Sequence, residues 1–240
     1  MDLTQNFIEA VNLIFGKDPE LRQIISVTLQ MSFFSTLLST LIGIPCGLII
    51  GSGYFKGKGI ILRITGTLMG LPPVVAGLII FMFISRSGPF GTLQLLYTVR
   101  AMVIVQVLLI TPIITGLSAA VISIPAASIK ETTTGLGFSP FKQRLFIVYE
   151  CKHSLLSVVL SGFGRAIAEV GAVQLVGGNI QYKTRVMTTA ILMETNMGNF
   201  SFAIALGIVL LVIAFIVNII ARTLEEGLKP QKNKKIRGEI

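Results

Sequence analysis

Five stretches of this chain are almost wholly apolar and long enough to cross a bilayer: residues 24–50, 60–84, 103–124, 155–176 and 200–220. Crossing about 30 Å of hydrocarbon takes about 20 residues of helix at 1.5 Å each. Lipid offers no water to backbone N–H and C=O groups, and an open chain satisfies them internally only as helix. The pattern therefore predicts five transmembrane helices. The first is not a cleaved secretory signal: it is too long, follows an acidic leader and ends without a small-residue cleavage motif. Residues 7–15 are apolar enough to lie as a short helix on the outer surface. Residues 182–197 mix polar groups with Val186, Met187, Ile191, Leu192 and Met193, as a short external or re-entrant helix does.

The polar positions between the runs set an orientation. Lys56 and Lys58 lie between the first two spans, and Lys130, Lys142, Arg144 and Lys152 between the third and fourth. Arg222, Lys229, Lys232, Lys234, Lys235 and Arg237 follow the fifth. In a five-span chain these stretches share one side. Basic loops stay in the cytoplasm, so the N-terminus is expected outside and the C-terminus inside. The chain then divides into an extracytoplasmic leader (1–23), a transmembrane domain (24–222) and a basic cytoplasmic tail (223–240).

Within the spans, small residues recur every fourth position: Gly43, Gly47 and Gly51; Gly164, Ala168 and Ala172; Gly66 and Gly70; Ala203 and Gly207. Such stripes let helix backbones approach closely, which matters where lipid supplies no hydrophobic drive for association. Prolines interrupt as well. Pro45 lies in the first span, Pro72 and Pro73 near the middle of the second, and Pro112 in the third. Each removes a helix hydrogen bond, and the freed carbonyls are tolerated only against protein or a wet path. One proline reads as a kink. The Pro72–Pro73 pair, preceded by Gly70-Leu71, points to a translocation path.

Composition agrees. Of 240 residues, 52% are hydrophobic and 13% charged, against about 25% charged in soluble domains; mean hydropathy is +0.82. The net charge of +9 is accounted for by the basic loops. No basic helix or aromatic-basic interleaving suggests nucleic acid as a partner. Cys46 and Cys151 fit neither a metal site nor a disulfide framework and read as packing residues. With His153 the only histidine, neither a histidine-based metal centre nor a catalytic triad can be assembled. No catalytic residue and no metal ligand is expected.

The loop between the third and fourth spans is the most informative stretch: Ile129-Lys130-Glu131-Thr132-Thr133-Thr134-Gly135-Leu136-Gly137-Phe138-Ser139-Pro140-Phe141-Lys142-Gln143-Arg144. It reads as a short helix, a glycine stop at Gly137, then Ser139 capping a second helix with Pro140 in its first turn. Such a rigid knob suits docking in a groove on a soluble partner. The loop resembles the EAA loop of prokaryotic ABC importer permeases, whose pattern is Glu-Ala-Ala, three residues, Gly, nine residues, then Ile-x-Leu-Pro. Glu131, Gly137 and Ile147 fall at that spacing, Thr132 and Thr133 replace the alanines, and Tyr149-Glu150 replaces Leu-Pro. The resemblance implies a coupling loop over residues 128–150, with Glu131, Thr132, Thr133, Gly137, Phe138, Ser139 and Pro140 meeting an ATP-binding subunit.

The fourth span holds the second signal, Gly162-Phe163-Gly164-Arg165-Ala166-Ile167-Ala168-Glu169-Val170-Gly171-Ala172. A charge near the bilayer centre costs about 2.5–3.5 kcal/mol on insertion scales and is a functional candidate by default. Four residues apart, Arg165 and Glu169 are expected on one helix face. They either pair and lock the helix, or line a path in which Arg165 attracts an anion and Glu169 limits how tightly it is held; the two roles are compatible. The stretch resembles the motif of molybdate and tungstate permeases, Arg followed four residues later by Glu-x-Gly-Ala. Val176-Gly177-Gly178-Asn179-Ile180 and Thr184-Arg185 are similar to the tungstate branch, and the likeness runs over residues 20–222.

The resemblance implies an all-α membrane protein of the type I ABC importer permease fold, in the cell membrane. It would act as a homodimer with two ATP-binding subunits, which carry ATP and Mg²⁺, and with an extracytoplasmic oxyanion-binding protein. The path would use Arg165, Glu169, Pro72 and Pro73, and the chain itself would hold no cofactor. A phosphate loop is absent: in Gly51-Ser52-Gly53-Tyr54-Phe55-Lys56-Gly57-Lys58-Gly59, Ser52 stands where a glycine is required and Gly59 where Ser or Thr should bind Mg²⁺. Tungstate is the expected substrate, with molybdate, sulfate or phosphate as alternatives. A secondary transporter driven through Glu169 would show inverted repeats, and none is visible. A purely structural anchor leaves the charged pair and the knob without a role.

Overall fold

The computed structural model describes residues 3–16 and 18–226, so the basic positions 229–237 lie outside the described residues. The chain is built from helices: α1 (Leu3–Phe15), α2 (Pro19–Ser52), α3 (Lys58–Met69), α4 (Pro73–Ile84), α5 (Val99–Gly135), α6 (Pro140–Glu150), α7 (Lys152–Ile167), α8 (Gly171–Gly177), α9 (Met187–Asn196) and α10 (Phe200–Glu226). Three of them, α2, α5 and α10, are individually long and apolar enough to cross a membrane. The expected short helices at 7–15 and 182–197 form as α1 and α9. Ser201 ties α1 to α10 by donating to Glu9 Oε2 (2.7 Å).

The α2–α5 pair is the spine. Gly43, Gly47 and Gly51 lie directly on α5: a Cβ on Gly47 would stand 2.6 Å from Ser118 Cβ and 2.9 Å from the Thr115 carbonyl oxygen, and one on Gly51 2.7 Å from the Ala119 carbonyl oxygen. Thr28, Ser32, Ser35, Thr36 and Ser39 continue this buried small-residue face towards the start of α2. Small hydroxyl residues serve close helix approach as glycine does. The outward face of the same helix carries Phe33, Phe34, Leu37, Leu38, Leu41 and Ile42, all exposed. Cys46 is exposed too, not packed as expected, while Cys151 sits in a buried cluster with Ile122, Ile147 and Leu155.

Single prolines do not break the spans. Helix α2 runs through Pro45, and α5 runs through Pro112 and Pro125. The third span is therefore uninterrupted, and it continues into the expected short helix of the loop, so that Glu131 belongs to α5. The paired prolines do break the chain: α3 and α4 meet at 93°. Proline disfavours helical backbone geometry at the residue before it, and Pro72, which precedes Pro73, is extended at ψ 123°.

The fourth expected span also divides. Helices α6 and α7 form a pair bent by 67°; α7 stops at Ile167, and after residues 168–170 the chain resumes as α8. Arg165 and Glu169 thus do not share one helix face, and Gly164, Ala168 and Ala172 do not form one continuous edge. A side chain of α5 meets the end of α7. Gln106 Nε2 donates to the Ala166 carbonyl (2.8 Å), which the next turn of a continuing helix would have used.

If the α2–α5 contact sets the fold, Gly47→Val should destabilise the protein by about 1–3 kcal/mol through overpacking. Gly207→Ala, at a glycine with open space around it, should leave stability unchanged or raised. Thermal unfolding in detergent measures both.

Candidate functional site

Two regions carry the residues singled out in the sequence, at separate places in the fold. The first is the knob between α5 and α6. Three bonds end α5: Leu136 N donates to the Thr132 carbonyl (3.1 Å), Gly137 N to Thr134 (2.9 Å) and Phe138 N to Thr133 (2.9 Å). The last two are the paired bonds of a Schellman stop, which requires a left-handed residue. Gly137 supplies it at φ +73°, with open space around its Cα, so backbone conformation and not crowding demands glycine there. Ser139 then accepts from Lys142 N at the start of α6, with Pro140 as the first helical residue.

Side chains brace the corner. Gln143 Nε2 donates both to Thr134 Oγ1 and to the Phe138 carbonyl, each at 3.1 Å, and the Phe138 and Phe146 rings meet edge to face. Thr133 is buried, its hydroxyl bonded to the Ile129 carbonyl (2.7 Å). Glu131 and Thr132 are exposed. Leu136, Phe141, Leu145 and Tyr149 are exposed as well. A rigid corner that presents this much apolar surface beside Glu131, Lys142 and Arg144 has the make-up of a docking element.

The second region lies where the two chain breaks meet. Gly77 of α4 sits against Ala172 of α8, where a Cβ would lie 2.7 Å from the Ala172 Cα, and Val74, next to Pro73, packs on Gly171. The Pro72–Pro73 break and the 168–170 break are thereby brought together. Arg165 Nη1 donates to Glu169 Oε2 at 2.8 Å. The other carboxylate oxygen accepts from Ala172 N (3.1 Å), and the Glu169 carbonyl accepts from Thr188 Oγ1 of α9 (2.7 Å). The Glu169 side chain is 5% exposed and that of Arg165 39%. One partner is thus a buried, fully bonded carboxylate that shapes the break. The other is a half-open cation held by it.

Residues 43–230 match the family described as binding-protein-dependent transport system inner membrane component. The chain belongs to that family. This membrane component is a multi-pass protein. It is 38% identical over 224 residues to the tungstate uptake system permease protein TupB of Peptoclostridium acidaminophilum, covering 93% of this chain and 98% of that one. To TupB of Campylobacter jejuni it is 40% identical over 219 residues, covering 91% and 92%. Its fold matches that of a bacterial ABC transporter involved in the import of the acidic polysaccharide alginate, at TM-score 0.68 and 20% identity over 93% of this chain and 84% of that one. The all-helical ABC importer permease fold expected from the sequence is the observed one.

Sequence reading overlooked several residues of this transport component. Gln106 joins three helices, accepting from Ser35 Oγ (2.5 Å) while donating to Ala166. A lone amide in an otherwise apolar run was the available signal. Glu20 and Arg185 form a second ion pair at 2.8 Å, with Gln181 also donating to Glu20 (2.8 Å). It fastens the Gly177–Arg185 turn to the start of α2.

Removing either member of the Arg165–Glu169 pair should have unequal consequences. Arg165→Ala strands a buried carboxylate and should cost about 1–3 kcal/mol. Adding Glu169→Gln should recover part of that loss, because the amide oxygen still accepts from Ala172 N. Thermal unfolding of the single and double variants tests this, and a double variant less stable than Arg165→Ala alone would refute it.

Proposed function

We propose that this chain is the membrane-spanning subunit of an ATP-driven importer of a tetrahedral oxyanion, tungstate. The carrying observation is its likeness to two tungstate uptake permeases along more than nine-tenths of its length. Two copies form the transmembrane unit, with the path along their two-fold axis, the N-terminus outside and the C-terminus in the cytoplasm. A binding protein delivers the anion to the outer face. Two ATP-binding subunits, holding ATP and Mg²⁺, dock on the knob from Glu131 to Arg144 within the 128–150 segment. This chain performs no covalent chemistry.

The knob's exposed apolar side chains and its braced Schellman corner support the docking role. The half-open Arg165 guanidinium supports the path role. It offers positive charge beside the junction of two broken helices, while Glu169 fixes its position and moderates the local field, so that an anion is attracted without being held fast. Pro72 and Pro73 contribute by breaking the second span there, which leaves backbone groups near the same junction.

In vesicles loaded with ATP and carrying the complete transporter, labelled tungstate should accumulate, and a protonophore should not prevent it. Unlabelled tungstate should compete better than molybdate, and molybdate better than sulfate. Equal competition by sulfate would redirect the assignment to that anion, and abolition of uptake by the protonophore would overturn ATP-driven transport. Gly137→Val, which forces a β-branched residue into left-handed backbone at about 1–2 kcal/mol, should separate ATP hydrolysis from uptake or prevent assembly.

A further inference from the structure

The end of α2 is closed by two lysines from other helices. Past Ser52 the chain leaves helical geometry at Gly53, which is extended at ψ 150°, and the last carbonyls are left without helical donors. Lys58, the first residue of α3, donates to the carbonyls of Gly51 (3.3 Å) and Gly53 (3.1 Å). Lys130 of α5 donates to the carbonyl between them, that of Ser52. Three consecutive acceptors at the negative end of the α2 dipole thus hold two ammonium groups. The Tyr54 ring lies 5.6 Å from each, within reach of a cation–π attraction. Among the described residues neither lysine has a carboxylate partner; the ion pairs there are Arg165–Glu169 and Glu20–Arg185.

The position of Lys130 gives this joint its significance. It directly precedes Glu131, and its own carbonyl accepts from Thr134 Oγ1 (2.7 Å) and Thr133 Oγ1 (3.2 Å), the residues whose carbonyls end α5. Lys130 is therefore the root of the knob, while Lys58 begins the helix that leads to the Pro72–Pro73 break. We infer that Lys130 and Lys58 are positioning residues that transmit movement of the knob to the end of α2 and to α3, and so to the broken second span. This rests on the reading of the knob as the docking element. Hydrogen bonds from ammonium to carbonyl are strong and short-ranged, so a displacement of Lys130 pulls on Ser52 and, through the shared helix end, on Lys58. Packing of α3 on α5 alone would leave the start of α3 free to lag behind.

The test uses the complete transporter in vesicles and reads the anion imported per ATP hydrolysed. Lys130→Met should lower that ratio by about fivefold, the lower end of common coupling effects. Lys130→Arg, whose guanidinium still donates to a carbonyl, should restore it. Combining Lys58→Met with Lys130→Met should be no worse than the more severe single variant, because both act through one joint. Should Lys130→Met fail to assemble, Lys58→Met carries the test, since it removes two of the three carbonyl bonds. A native ratio in an assembled lysine-to-methionine variant, while Gly137→Val uncouples, overturns the joint and leaves the docking reading intact. A native ratio in Gly137→Val as well overturns the docking reading itself.

Discussion

The closeness of two backbones governs this molecule. From Thr28 to Gly51, the face of α2 turned towards the interior carries hydroxyl residues and glycines, and at Gly43, Gly47 and Gly51 it leaves no room for a β-carbon. Glycine inside a helix costs about 1 kcal/mol relative to alanine, so three of them weaken α2 taken alone. Contact with α5 offsets that cost through dispersion and the exclusion of lipid, the forces available to helices already inside a membrane. The remaining elements are arranged about this pair. Met31 of α2 and Val105 of α5 belong to the same buried cluster as Ala76 of α4 and Ala172 of α8, and Ile24 joins α2 to α7, α9 and α10.

Against that rigid pair stand two interrupted spans, and the interruptions have different chemical origins. At Pro72–Pro73 two consecutive residues lack a backbone N–H and the first is disfavoured from helical geometry by the second. Around residues 168–170 no proline is present, and side chains bond the groups at the break: Gln106 donates to a carbonyl of α7, and Glu169 accepts from Ala172 N. Every polar group so exposed inside an apolar bundle needs a partner, which explains why Thr188 and Arg165 converge on the same glutamate. The pair therefore stands at the break itself, with Glu169 bonded through both carboxylate oxygens and Arg165 held half-open beside it.

Hydrophobic runs locate α2, α5 and α10, the helices long and apolar enough to cross a membrane, because a bilayer imposes a length and a polarity that no other environment does. The knob is equally legible: Gly137, Ser139 and Pro140 each act through local backbone geometry, which depends on near neighbours alone. What escaped reading depends on distant partners. Nothing near Ala166 in the sequence announces that Gln106, 60 positions earlier, will claim its carbonyl, so the fourth span reads as continuous. The single prolines were misleading for the converse reason. Whether Pro112 interrupts a helix depends on how tightly the surrounding helices hold it, and α5 is held along its length by α2. The hydroxyl half of the α2 stripe was hidden because serine and threonine read as polar, although between helices they act as small residues.

The unbroken course of α5 also makes it a lever. Gln106 and Glu131 stand on one helix, 25 positions apart in the sequence, or ~38 Å along its axis at 1.5 Å per residue. A helix transmits tilt with little compression, so a pivot near its middle, where Ile114 to Ala119 bear on the glycines of α2, gives two arms of comparable length. A tilt of about 5° would carry each end roughly 2 Å, in opposite senses, which is the scale of helix shifts in switching proteins. If the knob docks as proposed, a push at Glu131 would reach Gln106 as a movement in the opposite sense at the carbonyl of Ala166.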